Sequence, residues 1–182
     1  MEFLMAIMFQ SHHARPSPRE YLAMGLIIAG GVILILWVIA RPAEPADRRE
    51  LILPMCAMFS LTAAVWLLMV LFRNVAVLFG SASIAYFRDY KSDQPHEKIE
   101  RSARTFNNLM QVPALFYVIC LLMTVFPWVD RDQIALAWIY VTFRALHAII
   151  YIAFNYVPFR FATFAVSCIT LAVMWGRFAL HS

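Results

Sequence analysis

The stretch Tyr21 to Ala40, YLAMGLIIAGGVILILWVIA, holds twenty residues and no charge, and is closed by Arg41 and Pro42. At helical rise it spans about 30 Å, the thickness of bilayer hydrocarbon. Leu51–Phe72 and Thr105–Val129 are also charge-free at spanning length, and Phe161–Gly176 approaches it. A further apolar run, Ile134–Tyr156, is broken only by Arg144. The whole chain is 63% hydrophobic and 14% charged. A soluble domain holds about 25% charged residues, so the chain reads as an integral membrane protein.

The runs show no alternation of period two, which disfavours a closed barrel. The fold class expected is all-α, an integral membrane bundle of five helices with short connections. The helices are expected at about 21–40, 51–73, 103–127, 134–156 and 159–178. The segment Gly80–Arg104 reads as a loop leading into the polar end of the next helix. The short last span is expected to be extended by Arg160 and Arg177 snorkelling at its ends. Gly25 and Ala29 form a small-xxx-small pair suited to close helix approach. Cys56, Cys120 and Cys168 fall inside spans without metal-ligand spacing and read as buried apolar fillers. The start MEFLMAIMF lacks a basic region and a small-residue cleavage site, so it reads as an interfacial helix or a loose terminus rather than a signal peptide. Basic residues flank the spans, and no basic block interleaved with aromatics suggests nucleic acid.

The informative residues are polar ones within the spans. Arg144 lies near the bilayer midplane, where an arginine costs about 2.5–3.5 kcal/mol and must face protein or a wet cavity. Arg144, His147 and Tyr151 follow i, i+3, i+7 spacing, one stripe of one helix face. Arg104, Asn108 and Gln111 form a second stripe, with Glu100 one turn earlier. Arg160, at the start of the last span, can reach the same space. One reading is structural glue between helices, with Arg144 paired to Glu100 or to an acid of another subunit. The functional reading is an anion pocket, in which arginine forks receive carboxylates or a thiolate. Spans three to five hold no carboxylate, which argues against a proton relay. No Glu-x-x-His or cysteine cluster offers a metal site, and only His147 points to haem.

The segments RTFNNLMQVPALFYV and RALHAIIYIAFNYVPFR resemble the membrane-associated proteins in eicosanoid and glutathione metabolism, the MAPEG family. The second carries R-x2-H-x3-Y-x6-P-x-R and is nearest in motif to the family's microsomal prostaglandin E synthase-like members. The resemblance covers roughly Arg49 to the end. It implies a four-helix transmembrane domain over residues 49–182, preceded in residues 1–48 by one additional N-terminal transmembrane helix (21–40), and a homotrimer with glutathione as cofactor bound between subunits near the cytosolic face. By position, Arg104 and Asn108 would contact polar groups of the peptide, Tyr151 a carboxylate or backbone group, and His147 the pocket wall. Arg160 would hold the sulfur as thiolate, so the catalytic residues implied are Arg160 and Tyr151, and the binding set is Arg104, Asn108, Gln111, Arg144, His147, Tyr151 and Arg160. Gln111 stands where the family motif has an acid, and Phe161 and Phe164 stand where a serine and a tyrosine are found in that branch.

Three functions fit these residues. One is a glutathione-dependent transferase or peroxidase acting on a hydrophobic small molecule. Another is a non-catalytic subunit of a larger membrane complex, and the third a hydrophobic-ligand-binding protein. Lys and Arg outside Arg144 divide nine against five between the two sides, so the positive-inside rule puts the N-terminus and the 73–104 connection in the cytoplasm. Ser92→Cys is therefore expected to resist a membrane-impermeant maleimide in intact cells, and Asp47→Cys to react. The reverse labelling pattern would invert the topology.

Overall fold

A peptide group in hydrocarbon has no water to bond, so a crossing segment must satisfy its own N–H and C=O groups. Each apolar run does so as a helix. The computed structural model describes residues 17–79, 86, 97–126 and 129–181. Its helices are α1 Pro18–Ile39, α2 Ile52–Leu78, α3 Glu97–Val125, α4 Arg131–Ala153 and α5 Val157–His181, with a 3-10 turn at Arg48–Leu51 before α2. All five are long and apolar enough to cross a membrane, and no strand forms among the described residues. The all-α membrane bundle is therefore the fold. The reading of the first residues, Met1–Phe9, lies outside the described residues, as does most of the α2–α3 connection.

Helices run past the charge-free stretches that announce them. Arg73 lies inside α2 rather than ending it, and α3 begins at Glu97 rather than near residue 103. The cause is local. Glu97 and Arg101 pair at 2.8 Å across one helical turn, and Glu100 and Arg104 repeat the spacing at 4.0 Å, so the helix continues into its charged end. The 73–104 loop expected from charge is correspondingly shorter. At the other boundary α4 starts at Arg131 because the Asp130 carboxylate accepts the Gln133 N–H at 2.8 Å, an N-cap. It stops early because Asn155 turns left-handed, with φ of 50°.

Tightly packed side chains sit where α3, α4 and α5 meet. Phe116, Ile119, Cys120 and Met123 of α3 pack with Leu136, Ala137 and Tyr140 of α4 and with Val166 and Met174 of α5. Phe116 stacks on Tyr140 at 4.6 Å between ring centres. The buried hydroxyls of Thr163, Ser167 and Thr170 bond carbonyls one turn back on α5, which leaves that face small and self-satisfied. Leu22, Leu26, Ile33, Phe59, Leu67 and Leu71 point outward, a surface that lipid solvates and water would not. Of the three cysteines only Cys120 is buried; Cys168 is partly buried and Cys56 faces outward. An apolar surrounding suits a cysteine on either side of a membrane helix, so hydrophobicity alone did not separate core from lipid.

α1 packs chiefly on α5. The close approach occurs at Gly31, where an added Cβ would lie 2.6 Å from both γ carbons of Val166. Nothing lies within 4 Å of such an atom at Gly25, so the expected Gly25–Ala29 pair is not the contact. Tyr156, in the turn between α4 and α5, hydrogen-bonds to Glu20 of α1. Burial and this bond push its hydroxyl up to about 12, so it remains a donor at neutral pH.

The ends of the bundle differ. At one end the segment between α1 and α2 lies on the α3–α4 turn, with Ala46 N–H donating to Val129 at 3.3 Å and Arg131 N–H to Glu44 at 2.9 Å. There Arg177 turns inward to Asp130 at 2.7 Å and Asp132 at 3.1 Å instead of snorkelling. Two nearly buried carboxylates hold it more firmly than headgroup water would.

Gly31→Leu is expected to destabilise the α1–α5 contact by about 1–3 kcal/mol, the usual cost of overpacking. It should lower the melting temperature in detergent, and Val166→Ala should partly restore it. Gly30→Leu, which meets open space, serves as control. Equal effects at both glycines would contradict this packing.

Candidate functional site

The other end of the bundle gathers the polar stripes. A groove of about 420 Å³ opens between α3, α4 and α5, lined by Arg104, Asn107, Asn108 and Gln111 from α3, His147 and Tyr151 from α4, and Val157, Arg160, Phe161 and Phe164 from α5. Helical spacing explains the α3 and α4 contributions, since residues three and four apart share a face. α5 contributes through its first two turns, because the α4–α5 turn is only Phe154–Tyr156 and folds α5 back beside α4. Its N-terminus thus lies at the groove, where unbonded N–H groups favour an anion. Pro158 is tolerated there, at a position whose N–H has no helical partner.

Six of the seven expected binding residues line this groove: Arg104, Asn108, Gln111, His147, Tyr151 and Arg160. The seventh, Arg144, does not. It is fully buried behind the wall, with Nη2 donating to the Asn108 backbone oxygen at 2.9 Å and to Asn108 Oδ1 at 2.6 Å. Its guanidinium carbon lies 5.5 Å from the centre of the Phe164 ring, and Phe164 in turn faces the groove. Nε and Nη1 of Arg144 make no hydrogen bond with the described residues. Nor does Arg144 pair with Glu100. That carboxylate accepts from Tyr86 at 2.7 Å and faces Arg104. The distribution follows from burial: Arg104 and Glu100 meet near the charged start of α3, while the midplane arginine finds a neutral amide.

Arg160 is held differently. Its Nη1 donates to Asn155 Oδ1 at 2.8 Å, and its guanidinium carbon lies 4.0 Å over the Tyr151 ring. Its backbone carbonyl contacts His147 Nδ1 at 2.9 Å. A carbonyl can only accept, so Nδ1 carries the proton. In the neutral ring Nε2 is then an acceptor, and it is buried without a hydrogen-bond partner among the described residues. His147 thereby fixes the register of α4 against the first turn of α5. Among the described residues no carboxylate stands within ion-pair distance of Arg144 or Arg160.

Asn107, Val157 and Asn155 were not singled out by sequence reasoning. Asn107 was visible as a neighbour of Asn108. Val157 and Asn155 carry no signal at helical spacing, because Asn155 lies in the α4–α5 turn and Val157 opens α5 directly after it. Pro113 within α3 is a further local feature: it leaves the Leu109 carbonyl without its helical N–H, one residue past the Asn108 carbonyl that Arg144 uses.

Five helices of membrane-spanning length, with a groove carrying Arg104 and Arg160 at one end of three of them, define a multi-pass helical membrane protein. Residues 51–180 match the profile of the MAPEG family, and the chain belongs to that family. It is a membrane protein of the glutathione transferase and eicosanoid metabolism kind. Comparison with curated proteins and with solved structures returned no match. α1 precedes the matched residues.

Removing the Oδ1 acceptor from the buried guanidinium is expected to cost about 1–3 kcal/mol or more, the price of an unsatisfied buried group. Asn108→Leu should therefore lower the melting temperature clearly, whereas the double variant Asn108→Leu with Arg144→Met, which also removes the charge, should recover most of the loss. A double variant no more stable than Asn108→Leu would show that the Arg144–Asn108 contact is unimportant.

Proposed function

We propose that the groove binds glutathione and that the protein is a glutathione-dependent transferase or peroxidase acting on a hydrophobic electrophile. The observation that carries this reading is Arg160: a partly buried guanidinium on the groove wall, held by an amide and a ring rather than by an acid. Neutral partners leave its charge to act on a guest. Arg104, Asn107, Asn108 and Gln111 offer the forks and amides that a peptide with two carboxylates would use, and His147 and Tyr151 line the wall beside them. Family membership supports the same ligand.

Bound glutathione would supply a thiol, which as thiolate can add to an electrophilic carbon or reduce a hydroperoxide. A free thiol has pKa about 8.5 and is mostly protonated at neutral pH. Arg160 would favour the anion by charge, and the α5 N-terminus by its dipole, both acting on the same side of the wall. The Tyr151 ring keeps the guanidinium from swinging away, and its hydroxyl adds a donor. Gln111 can accept from an ammonium but brings no charge to it. Phe161, 55% exposed, and Phe164 make the wall next to Arg160 apolar. That wall suits an electrophile arriving from the hydrocarbon and gives no second hydroxyl to the sulfur.

The arrangement we favour is a homotrimer in which a neighbouring copy closes the open side of the groove, with the N-terminus and the groove on the cytoplasmic side. Native mass spectrometry from mild detergent reads the assembly, and a monomer would contradict it. A second reading, a non-catalytic subunit of a larger complex, is favoured by α1, which precedes the family region and adds an outward apolar face. Constant co-purifying partners in place of a self-assembly would favour it.

Glutathione added to the purified protein is expected to produce ultraviolet thiolate absorbance near neutral pH, lost in Arg160→Ala. Absence of the band, or its persistence without Arg160, would overturn the reading.

A further inference from the structure

α4 ends in a left-handed residue, as many helices do, and glycine is the usual choice there because it lacks Cβ strain. This chain uses Asn155, at φ of 50°. Its N–H closes the helix on the Ile150 carbonyl at 2.7 Å, a task glycine would perform equally. What glycine could not supply is the side chain. Oδ1 accepts from Arg160 Nη1 at 2.8 Å, and Nδ2 donates to Glu97 Oε1, on α3, at 3.3 Å. Both ends of the amide are thus engaged, and the geometry fixes which end points where: the oxygen to the cation, the nitrogen to the carboxylate.

We propose that Asn155 is a positioning residue for Arg160. It bridges α3 and α5 through one amide, holding the guanidinium over the Tyr151 ring and toward the groove while keeping the Glu97 carboxylate from reaching it. Without the amide the two opposite charges would face each other across the turn. An Arg160–Glu97 ion pair would draw the guanidinium off the groove wall and neutralise it. The Asn155 amide is a neutral spacer, so Arg160 is oriented without being compensated. Glu97 also pairs with Arg101 at 2.8 Å, which further holds it on α3. The turn itself is fastened to α1 by the Tyr156–Glu20 hydrogen bond. This inference rests on the glutathione reading only for its chemical consequence; the orientation of Arg160 can be tested without any ligand.

The full chain in detergent carries the experiment, with Asn155→Gly as the main variant because glycine keeps the left-handed backbone. Phenylglyoxal modification, followed site by site with peptide mass spectrometry, reads how firmly each guanidinium is held. Loss of a hydrogen bond of about 1 kcal/mol corresponds to roughly a fivefold change. Asn155→Gly is expected to alter the modification rate of Arg160 by about that factor, with the Arg144 rate unchanged and the melting temperature lowered by no more than about 2–4 °C. The thiolate absorbance with glutathione at pH 7 should fall in step. Asn155→Asp, which places a carboxylate on the cation, should depress the thiolate band further than glycine does. An unchanged Arg160 rate in Asn155→Gly, or an equal change at Arg144, overturns the proposal. A wild-type protein without any thiolate band, but with the altered Arg160 rate in the variant, would defeat the glutathione reading and leave the role of Asn155 standing.

Discussion

One guanidinium in hydrocarbon constrains the bundle more than any other group. Arg144 cannot face lipid at tolerable cost, so α4 must turn it toward α3, and the Asn108 amide and carbonyl receive it there. That single contact sets the rotation of α4 about its own axis. His147 and Tyr151, three and seven residues on, then come to the same side, and His147 engages the backbone of α5 at Arg160. The groove is what remains between three helices whose rotations have been settled in this way.

Three arginines meet three different partners, and the contrast is chemical. Arg177, at one end, faces two nearly buried carboxylates and is neutralised. Arg144, in the middle, has an amide and a backbone carbonyl and lies behind Phe164. Arg160, at the other end, has an amide and an aromatic face and remains on the wall of a cavity. A structural cation is best matched by an acid, because an uncompensated charge in a low dielectric is costly. Arg144 and Arg160 both have neutral partners, so what separates them is position: one lies behind Phe164 and the other on the groove wall.

α1 adds a further layer. It sits against α5 at the close Gly31–Val166 approach and reaches the α4–α5 turn through Glu20 and Tyr156. The turn carrying Asn155 is thus braced from outside the region that defines the family.

The amino-acid sequence by itself determined the solvent and the secondary structure. Twenty uncharged residues in hydrocarbon have no alternative to a helix, and i, i+3, i+4 spacing puts Arg104, Asn108 and Gln111 on one face whatever surrounds them. It also ruled out lipid as the neighbour of Arg144. It did not determine which arginine faces the cavity, because Arg144 and Arg160 look alike in a string and differ only in what lies beside them. Helix ends beyond the charge-free runs were hidden for a related reason: pairs such as Glu97–Arg101 stabilise a helix outside the membrane, where hydropathy carries no signal. Core and lipid faces were equally indistinguishable by polarity, as Cys56 and Cys120 show. Those choices, and the left-handed Asn155 that joins three helices through one amide, depend on distances between residues far apart in the chain, which only the tertiary structure decides.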